Sequence, residues 1–392
     1  MKTTPFGRLA VLLLVSLPGL AVAQIHAMFN YETKSADSLK VLKNPVQTGP
    51  RKEGIAIIDV DPKSKTFGQT IQDIELPADL VAHHIFYNRD QSKAYVTALG
   101  KGELRVMDMK KTPYAMKVIA VPDCMVGEDL VFSDDNKHWY LSCMGSDAMV
   151  VGDAVADKPI RTIKVAAKYP HGIAIHNGID RILLSSTVRA SDLGDAGEHI
   201  SAVEASTGKV LGTYKLSKKP SPAGEAPVEI LFVPKADPPI AYITNMYGGT
   251  MWTATWNKAK KDFDVAQVHD FNQQKIGVPL EIYFNAKGDR MYVTTAKPGH
   301  LHVFDTSKAG QPKLLKSIAT AEGAHHVAFT KDGRYAFVQN ALLNLPGMSD
   351  GSVTIVDLKQ EKVVGSMDSL KNKGFNPNSM VLLPKWNDLA GH

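Results

Sequence analysis

Residues 325–338 read His325-His326-Val-Ala-Phe-Thr-Lys-Asp-Gly-Arg-Tyr-Ala-Phe-Val338, and they contain the unit that decides the fold. A polar or His/Glu doublet begins a short apolar strand, a Lys-Asp-Gly-Arg turn follows, and a second apolar strand begins after it. The same unit occurs six times along the chain, and a degenerate seventh copy occurs near its end. The doublets are His83-His84, Glu128-Asp129, His171-Gly172, Val228-Glu229, Leu280-Glu281 and His325-His326, and the degenerate one is Asn378-Ser379.

Each unit continues with two further strands, so the repeat contains four. A third strand ends in Asp, as in Leu104–Asp108 and Val353–Asp357, and a fourth precedes the next doublet, as in Lys117–Val121. Four strands repeating every 43 to 57 residues or so predict the blades of a β-propeller. The sequence therefore predicts an all-β fold.

The chain ends fix the number of blades. Residues 27–31, 54–59 and 70–75 supply a second, third and fourth strand without a first, and Asn378 to Leu383 supplies a first strand without the others. Joining them completes a seventh blade and closes the ring, which removes exposed sheet edges. We therefore predict one domain over residues 24–392, a seven-bladed propeller closed by pairing the C-terminal inner strand with the N-terminal strands.

The first 23 residues have the pattern of a cleaved secretory signal peptide. Lys2 and Arg8 precede the apolar run Leu9 to Val15, and Ala21-Val22-Ala23 is a small-x-small cleavage site. The apolar run is too short to span a bilayer. This pattern predicts secretion to the periplasm, with no membrane span. The formal net charge is only +5 and the lysines are scattered, which argues against a nucleic-acid groove.

Cys124 and Cys143 are the only cysteines. In an oxidising compartment an isolated pair favours a disulfide. An up-and-down pair of strands would also bring both residues to the same sheet edge. The alternative is a thiolate copper site assisted by Met125 and Met144.

Several units resemble the YVTN-repeat propellers, a large and mostly secreted seven-bladed family. The resemblance rests on Ala94-Tyr-Val-Thr-Ala98, Met291-Tyr-Val-Thr-Thr295, Pro170-His-Gly-Ile-Ala174 and Phe329-Thr-Lys-Asp-Gly-Arg334. It covers nearly the whole chain after the signal, and it implies the fold but not the function, because the family includes hydrolases, surface proteins, metal- and haem-handling proteins and dehydrogenase subunits. Val121-Pro-Asp-Cys124 with Cys143 is also similar to a disulfide-bearing blade of the large propeller subunits of periplasmic quinoprotein amine dehydrogenases.

The inner strands of a propeller all begin at the same rim of the central channel, so equivalent first residues converge on one axis. We call the first residue of each doublet the first tier and the second residue the second tier. The two tiers together bring five histidines and four carboxylates to one channel mouth. Imidazoles with carboxylates are typical ligands of Cu, Fe, Mn or Zn, and charges so close together need a cation or shared protons.

These positions predict a metal site. We assign His84, His171 and His326 as direct ligands and His83 and His325 as additional or bridging ligands. The predicted ligands or orienting carboxylates are Glu128, Glu229 and Glu281. Because neighbouring strand residues point to opposite faces, each His doublet should offer one imidazole to the axis. His171 also has a structural alternative, as the start of a strand.

The hypothesis that follows is a periplasmic metalloprotein with copper or iron and redox-linked chemistry, acting on a small molecule or with a periplasmic redox protein. One alternative is a non-catalytic propeller scaffold for a periplasmic partner. Another is lactonase-like hydrolysis with a divalent ion, which would not need five histidines. The long loops Thr187–His199, Asn340–Ser352 and Lys34–Lys52 are predicted to contribute to the same rim. The sequence has no motif for covalent haem, a phosphate-binding loop or a nucleophile elbow.

Overall fold

The computed structural model describes residues 24–34 and 51–390, and these residues form a ring of seven β-sheets. The predicted signal peptide and most of the Lys34–Lys52 segment lie outside the described residues. In six of the seven blades the strands run in sequence order from the channel to the outside. No helix in the described ranges is long and apolar enough to cross a membrane.

The first six blades are continuous in sequence. Blade 1 contains β4 to β7 (Ala82–Tyr87, Lys93–Ala98, Glu103–Asp108, Met116–Ala120), and blade 2 contains β8 to β11 (Gly127–Phe132, His138–Cys143, Ala148–Asp153, Lys158–Lys164). Blade 3 contains β12 to β15 (Pro170–His176, Arg181–Ser186, His199–Glu204, Val210–Lys215), and blade 4 contains β16 to β19 (Pro227–Phe232, Ile240–Asn245, Thr250–Asn257, Asp262–Asp270). Blade 5 contains β20 to β23 (Gly277–Phe284, Arg290–Lys297, Gly299–Asp305, Lys313–Ala319), and blade 6 contains β24 to β27 (Ala324–Thr330, Tyr335–Asn340, Val353–Asp357, Lys362–Met367). Short 3₁₀ helices occur at Met144–Ser146, Asn177–Ile179, Phe271–Gln274 and Lys371–Lys373.

Blade 7 closes the ring as predicted. Its inner strand is β28 (Phe375–Leu382), and its other strands are β1 (His26–Thr33), β2 (Glu53–Asp59) and β3 (Thr70–Leu76). The closure is antiparallel, with Ala27 opposite Leu382 and Thr33 opposite Phe375. The prediction of seven blades sealed by the C-terminal inner strand is confirmed.

The last described residues make a contact that the repeat does not predict. β29 (Asn387–Asp388) adds a fifth strand to blade 6 by pairing with the end of its inner strand β24. The carbonyl of Ala390 also accepts a hydrogen bond of 2.6 Å from the backbone of Phe284 in blade 5. Inner strands all run along the axis, so this C-terminal tail lies at the opposite channel end from the His and Glu doublets.

The hydrophobic core is divided among the blade interfaces. Seven buried clusters lie one between each neighbouring pair of blades, for example Phe86, Tyr95 and Leu104 of blade 1 against Phe132 and Trp139 of blade 2. Inner strands are buried on both faces, whereas the outermost strand of a blade is largely exposed. This arrangement explains why the inner strands read as continuous apolar runs rather than alternating ones.

The disulfide predicted for the two cysteines is present. Cys124 and Cys143 are bonded, with their Cα atoms 5.1 Å apart. Cys124 precedes the inner strand of blade 2 and Cys143 ends the next strand, so both reach the same sheet edge. The alternative of a thiolate copper site at these two residues is therefore wrong.

One histidine outside the channel is buried inside blade 5. His302 has no exposed surface, and its Nδ1 and Nε2 lie 2.8 Å from Ser317 Oγ and 3.0 Å from Thr295 Oγ1. Burial, together with the nearby His300 and His269, lowers the pKa of His302 from 6.5 to about 3. The ring is therefore neutral in the folded protein across the physiological range.

His302 should contribute to acid sensitivity. Its pKa is lower in the folded than in the unfolded chain, so its stabilisation is complete above about pH 6.5 and is lost as pH falls towards about 3. The free energy of unfolding of the wild type should fall between pH 7.5 and pH 4.5. We expect the fall in His302→Gln to be smaller by about 1–3 kcal/mol. Urea unfolding at both pH values measures this, with His138→Gln in blade 2 as the control substitution. Equal pH dependence in wild type and His302→Gln would contradict the assignment.

Candidate metal centre

The doublets that begin the inner strands meet at one end of the channel, and their side chains are buried. The His, Asp and Glu residues of the doublets with 6 % or less of their surface exposed are His83, His84, Glu128, Asp129, Glu229, Glu281, His325 and His326. The side chain of His171 is 12 % exposed. Convergence of these residues at one rim is what the repeat predicts, and they come from the doublets of six blades.

Each doublet is part of a β-bulge, which the sequence does not reveal. In blade 1 the register between the first two strands shifts between Ala82 and Ile85, so that His83 and His84 have no regular pairing partners. Their rings are stacked 3.9 Å apart and tilted by only 23°. The expectation that doublet residues point to opposite faces is therefore wrong for blade 1, because a bulge places an extra residue in the strand and changes side-chain direction.

Polar side chains of the second strand hold these bulges in place. The hydroxyls of Thr97, Ser142 and Thr294 accept hydrogen bonds of 3.0–3.2 Å from the backbone N–H of His84, Asp129 and Glu281. In blade 6 the side chain of Gln339 accepts the equivalent bond from His326. In the sequence, the residue that marks this hydrogen bond is the Thr of the Tyr-Val-Thr units. That Thr served above only to recognise the repeat.

One group of possible ligands belongs entirely to the first tier. His83, Glu128 and His171 each offer one ligand atom within 4.8 Å of the others. Glu128 Oε2 lies 3.1 Å from His83 Nε2 and 3.5 Å from His171 Nε2. We call these three residues the outer group. Two imidazoles and one carboxylate on one side of an ion are a known donor set for iron with open positions.

A second group consists of three imidazoles. His84, His325 and His326 also offer ligand atoms within 4.8 Å of one another, and the rings of His84 and His326 meet edge to face at 4.5 Å. We call these residues the inner group. His84, His171 and His326 were predicted from the sequence to bind one ion, but the structure places His171 with the outer group, its ring centroid 6.0 Å from that of His84.

Three carboxylates contact the imidazoles or the backbone rather than joining either group. Asp129 Oδ1 lies 2.7 Å from His84 Nδ1, and Glu281 Oε1 lies 3.2 Å from His325 Nε2. Glu229 accepts a 3.0 Å hydrogen bond from the backbone N–H of Ile230. Asp129 was placed in the second tier by the sequence but not among its predicted ligands or orienting residues. Its contact with His84 makes it the carboxylate best placed to orient an imidazole.

Blade 3 has no second-tier side chain because there is no space for one. A Cβ atom added to Gly172 would lie 2.3 Å from the carbonyl oxygen of Val228 in blade 4. The glycine allows the inner strands of these two blades to approach closely. His171 therefore stands alone at its blade, which explains why its doublet contributes only one possible ligand.

Burial sets the protonation of the centre. Burial, together with His83 and His326, lowers the pKa of His84 well below its usual value, and burial also lowers the pKa of His171. Burial raises the pKa of Asp129 well above its usual range, and nearby Glu229 and Glu281 add to this. For Glu128, burial raises the pKa, but the imidazoles of His83 and His171 outweigh it and the net pKa is lowered. Neutral imidazoles next to an ionised carboxylate are the state in which these groups bind a metal.

A cavity of about 230 Å³ lies directly above the outer group. Its floor is formed by six of the seven first-tier residues: His83, Glu128, His171, Val228, Leu280 and His325. Its walls are almost entirely apolar and include Leu99, Met144, Val188, Leu193, Met246, Val278, Leu342 and Met348. We call this cavity the chamber. An engineered apolar cavity of about 150 Å³ holds a benzene molecule, so the chamber is large enough for a small organic molecule.

Two of the long loops predicted to reach this rim do line the chamber. Thr187–His199 contributes Val188, Ala190 and Leu193, and Asn340–Ser352 contributes Leu342, Leu343, Leu345 and Met348. Charged residues of the first loop make local contacts: Arg189 pairs with Asp192 at 2.8 Å, and Glu198 accepts hydrogen bonds from Ser221 and Ala223 of the loop that follows blade 3. The hydroxyl of Tyr247 donates to the carbonyl of Leu193 at 2.8 Å and links two of the covering loops.

Comparison with known proteins supports the fold and goes no further. No known family profile and no curated protein matches the chain. Among solved structures, the chain is similar to a hypothetical selenium-binding protein from Sulfolobus tokodaii, with a TM-score of 0.72, 12% identity and coverage of 94% of this chain and 96% of that one. It is also similar to a putative 6-phosphogluconolactonase from Bacteroides fragilis (TM-score 0.60, 12% identity, coverage 93% and 99%) and to Kuenenia stuttgartiensis hydrazine synthase (TM-score 0.58, 14% identity, coverage 79% and 92%). At these identities the likeness concerns the propeller fold alone, and the YVTN-repeat resemblance stays a prediction.

Proposed function

We propose that this chain is a periplasmic metalloprotein that binds copper or iron on the propeller axis and uses it for redox-linked chemistry on a small molecule. The observation that carries this is the pair of ligand groups, five imidazoles and one carboxylate, buried beneath an apolar chamber. Imidazole-rich sites with open positions suit redox metals. When bound, such a metal supplies electron-transfer and oxygen chemistry that the side chains alone do not.

The side chains have separate tasks in this proposal. His83, Glu128 and His171 bind the ion that faces the chamber, while Asp129 and Glu281 hold imidazoles in position. The propeller supplies rigidity, because each ligand stands on an inner strand buried on both sides. The apolar walls exclude water and favour a small uncharged molecule over a protein partner. The periplasmic location is supported by the pattern of residues 1–23 and by the disulfide.

Metal analysis tests the proposal. Protein exported with its own leader and purified without chelators should contain at least one equivalent of copper or iron by mass spectrometry. The double variant His84→Ala/His171→Ala should contain none while keeping its far-ultraviolet circular dichroism, because both groups lose a ligand. His300→Ala, outside both groups, is the matched control and should bind metal like the wild type.

The outcomes separate the alternatives. Protein free of metal, which also takes up none when copper or iron is supplied, would overturn the proposal in favour of a non-catalytic scaffold. A tightly held Ca²⁺ or Mg²⁺ would overturn it in favour of divalent-ion hydrolysis, since these ions prefer oxygen ligands.

Filling the chamber should prevent small-molecule binding without removing the metal. Met246→Trp places a larger ring in the wall, and we expect toluene or indole to bind about tenfold more weakly or worse, a loss of about 1.4 kcal/mol. Isothermal calorimetry measures the affinity, and metal content should be unchanged. Leu315→Trp, at a residue 43% exposed on the outer strand of blade 5, is the control for adding a tryptophan. Equal binding by wild type and Met246→Trp would show that the chamber is not the binding site.

A further inference from the structure

The outer and inner groups share no residue and differ in their access to the chamber. All three residues of the outer group line the chamber, whereas of the inner group only His325 does. His84 and His326 belong to the second tier and lie deeper along the axis. The two groups therefore occupy different levels of the same channel.

We propose that the axis has two metal positions. The outer one, at His83, Glu128 and His171, is open to the chamber and is where exogenous molecules bind. The inner one, at His84, His325 and His326, is closed and does not exchange ligands. This inference rests on the proposed function, which requires only that a metal be bound.

The stacked rings of blade 1 show why one ion cannot serve the whole cluster. The lone pair of an imidazole nitrogen lies in the ring plane, so a bound ion lies close to that plane about 2.1 Å from the nitrogen. The rings of His83 and His84 are stacked 3.9 Å apart and tilted by only 23°, and neither three-residue ligand group contains both of them. We therefore assign His83 and His84 to different ions, which divides the cluster at this doublet.

The spacing of the outer group fits a single ion. Two ligands bonded at about 2.0–2.2 Å to one ion, at angles near 90–110°, are themselves about 3.0–3.5 Å apart. Glu128 Oε2 lies 3.1 Å from His83 Nε2 and 3.5 Å from His171 Nε2, which is this spacing. Three protein ligands leave open positions, and the chamber is the space into which they would open.

The inner group has the features of a closed site. Nδ1 of His84 is engaged by Asp129 at 2.7 Å, while its Nε2 is buried and has no hydrogen-bond partner within the described ranges. The same is true of His325, whose Nε2 lies 3.2 Å from Glu281 and whose Nδ1 is buried without a partner there. The ring of His326 is tilted by 39° from that of His325 and by 73° from that of His84. Both angles are larger than the 23° between the rings of His83 and His84.

Stoichiometry and ligand exchange test the inference. Metal-free wild type, His171→Ala, His326→Ala and the control His300→Ala are each loaded with Cu(II), dialysed and analysed for metal. We expect two equivalents in the wild type and the control, and one in each single variant. Azide should change the optical and electron paramagnetic resonance spectra of the wild type and of His326→Ala, because only the outer ion is accessible, but not those of His171→Ala.

Other outcomes are equally informative. One equivalent in the wild type, lost in both single variants, would overturn the two-position inference and leave the proposed function standing. Failure of the wild type to bind copper or iron at all would instead overturn the proposed function. Azide effects that persist in His171→Ala but vanish in His326→Ala would reverse the order of the two positions and contradict the inference. If His171→Ala does not fold, Glu128→Gln is used in its place. It removes a ligand from the same group, and the new side chain has nearly the same volume as the old one.

Discussion

Removing residues 378–392 should abolish the cooperative unfolding transition of the whole domain. The deletion takes away most of the inner strand of blade 7, so the ring opens and the edge of β1 is exposed. It also removes Met380, Leu382 and Leu383, which are at most 8 % exposed and pack into the two interfaces of that blade. Burial of three such side chains contributes about 5–9 kcal/mol, which is comparable to the total stability of a domain.

A graded deletion series separates ring closure from the C-terminal tail. Removing residues 384–392 leaves β28 in place but deletes β29 and Trp386, which packs against both interfaces of blade 7. We expect this variant to fold with a lower melting temperature. Circular dichroism melting and urea titration measure both deletions. A cooperative, wild-type-like transition in the chain lacking residues 378–392 would show that ring closure does not determine stability.

The repeat was sufficient to predict the fold and the location of the site. Because the same strand of every blade begins at the same rim, the copies could be aligned on their apolar residues. That alignment placed His83, His171 and His325 on one axis without any knowledge of the contacts. Ring closure followed from counting strands at the two ends, since Asn378 to Leu383 had no partners of its own in the sequence.

The division of the cluster into two groups could not be predicted, because it depends on a backbone irregularity. Strict alternation along a strand would separate His83 from His84, whereas the bulge stacks their rings and directs them to different partners. The only trace that the bulge leaves in the sequence is a hydroxyl residue on the neighbouring strand, such as Thr97, which accepts the hydrogen bond from the backbone N–H of His84. Similarly, the long loops were predicted to reach the rim from their length alone, and only the structure shows that their apolar residues, such as Val188 and Leu193, line the chamber.

Asp129 was visible in the sequence, yet its role required the structure. It lies in the second tier beside Glu128, and nothing in the repeat distinguishes the two carboxylates. In the folded protein Glu128 faces two imidazoles of the outer group, whereas Asp129 lies 2.7 Å from Nδ1 of His84 and 3.8 Å from Nδ1 of His171. The two neighbours thus differ in their contacts only through the partners that adjacent blades bring to them.

Asp129→Ala should weaken metal binding at the inner group by about 10- to 100-fold, the usual effect of losing a carboxylate that orients a metal-bound imidazole. When an ion takes the Nε2 lone pair of His84, Nδ1 must carry the proton, and Asp129 Oδ1 at 2.7 Å is placed to accept it. Both side chains are at most 2 % exposed, so no water can replace the carboxylate without opening the site. Competition with a chelator of known affinity measures the loss in His171→Ala protein, where only the inner position remains.

The size of the effect should depend on which group replaces the carboxylate. Asp129→Asn keeps an acceptor oxygen for His84 and should lose less affinity than Asp129→Ala. Asp134→Ala, at a side chain 70 % exposed in the same blade, controls for loss of an acidic residue and should bind metal like its parent. If Asp129→Ala binds as tightly as its parent, or if Asn is as damaging as Ala, then Asp129 does not orient His84. The inner group would then be held by the bulge and by the packing of blades 1 and 6 alone.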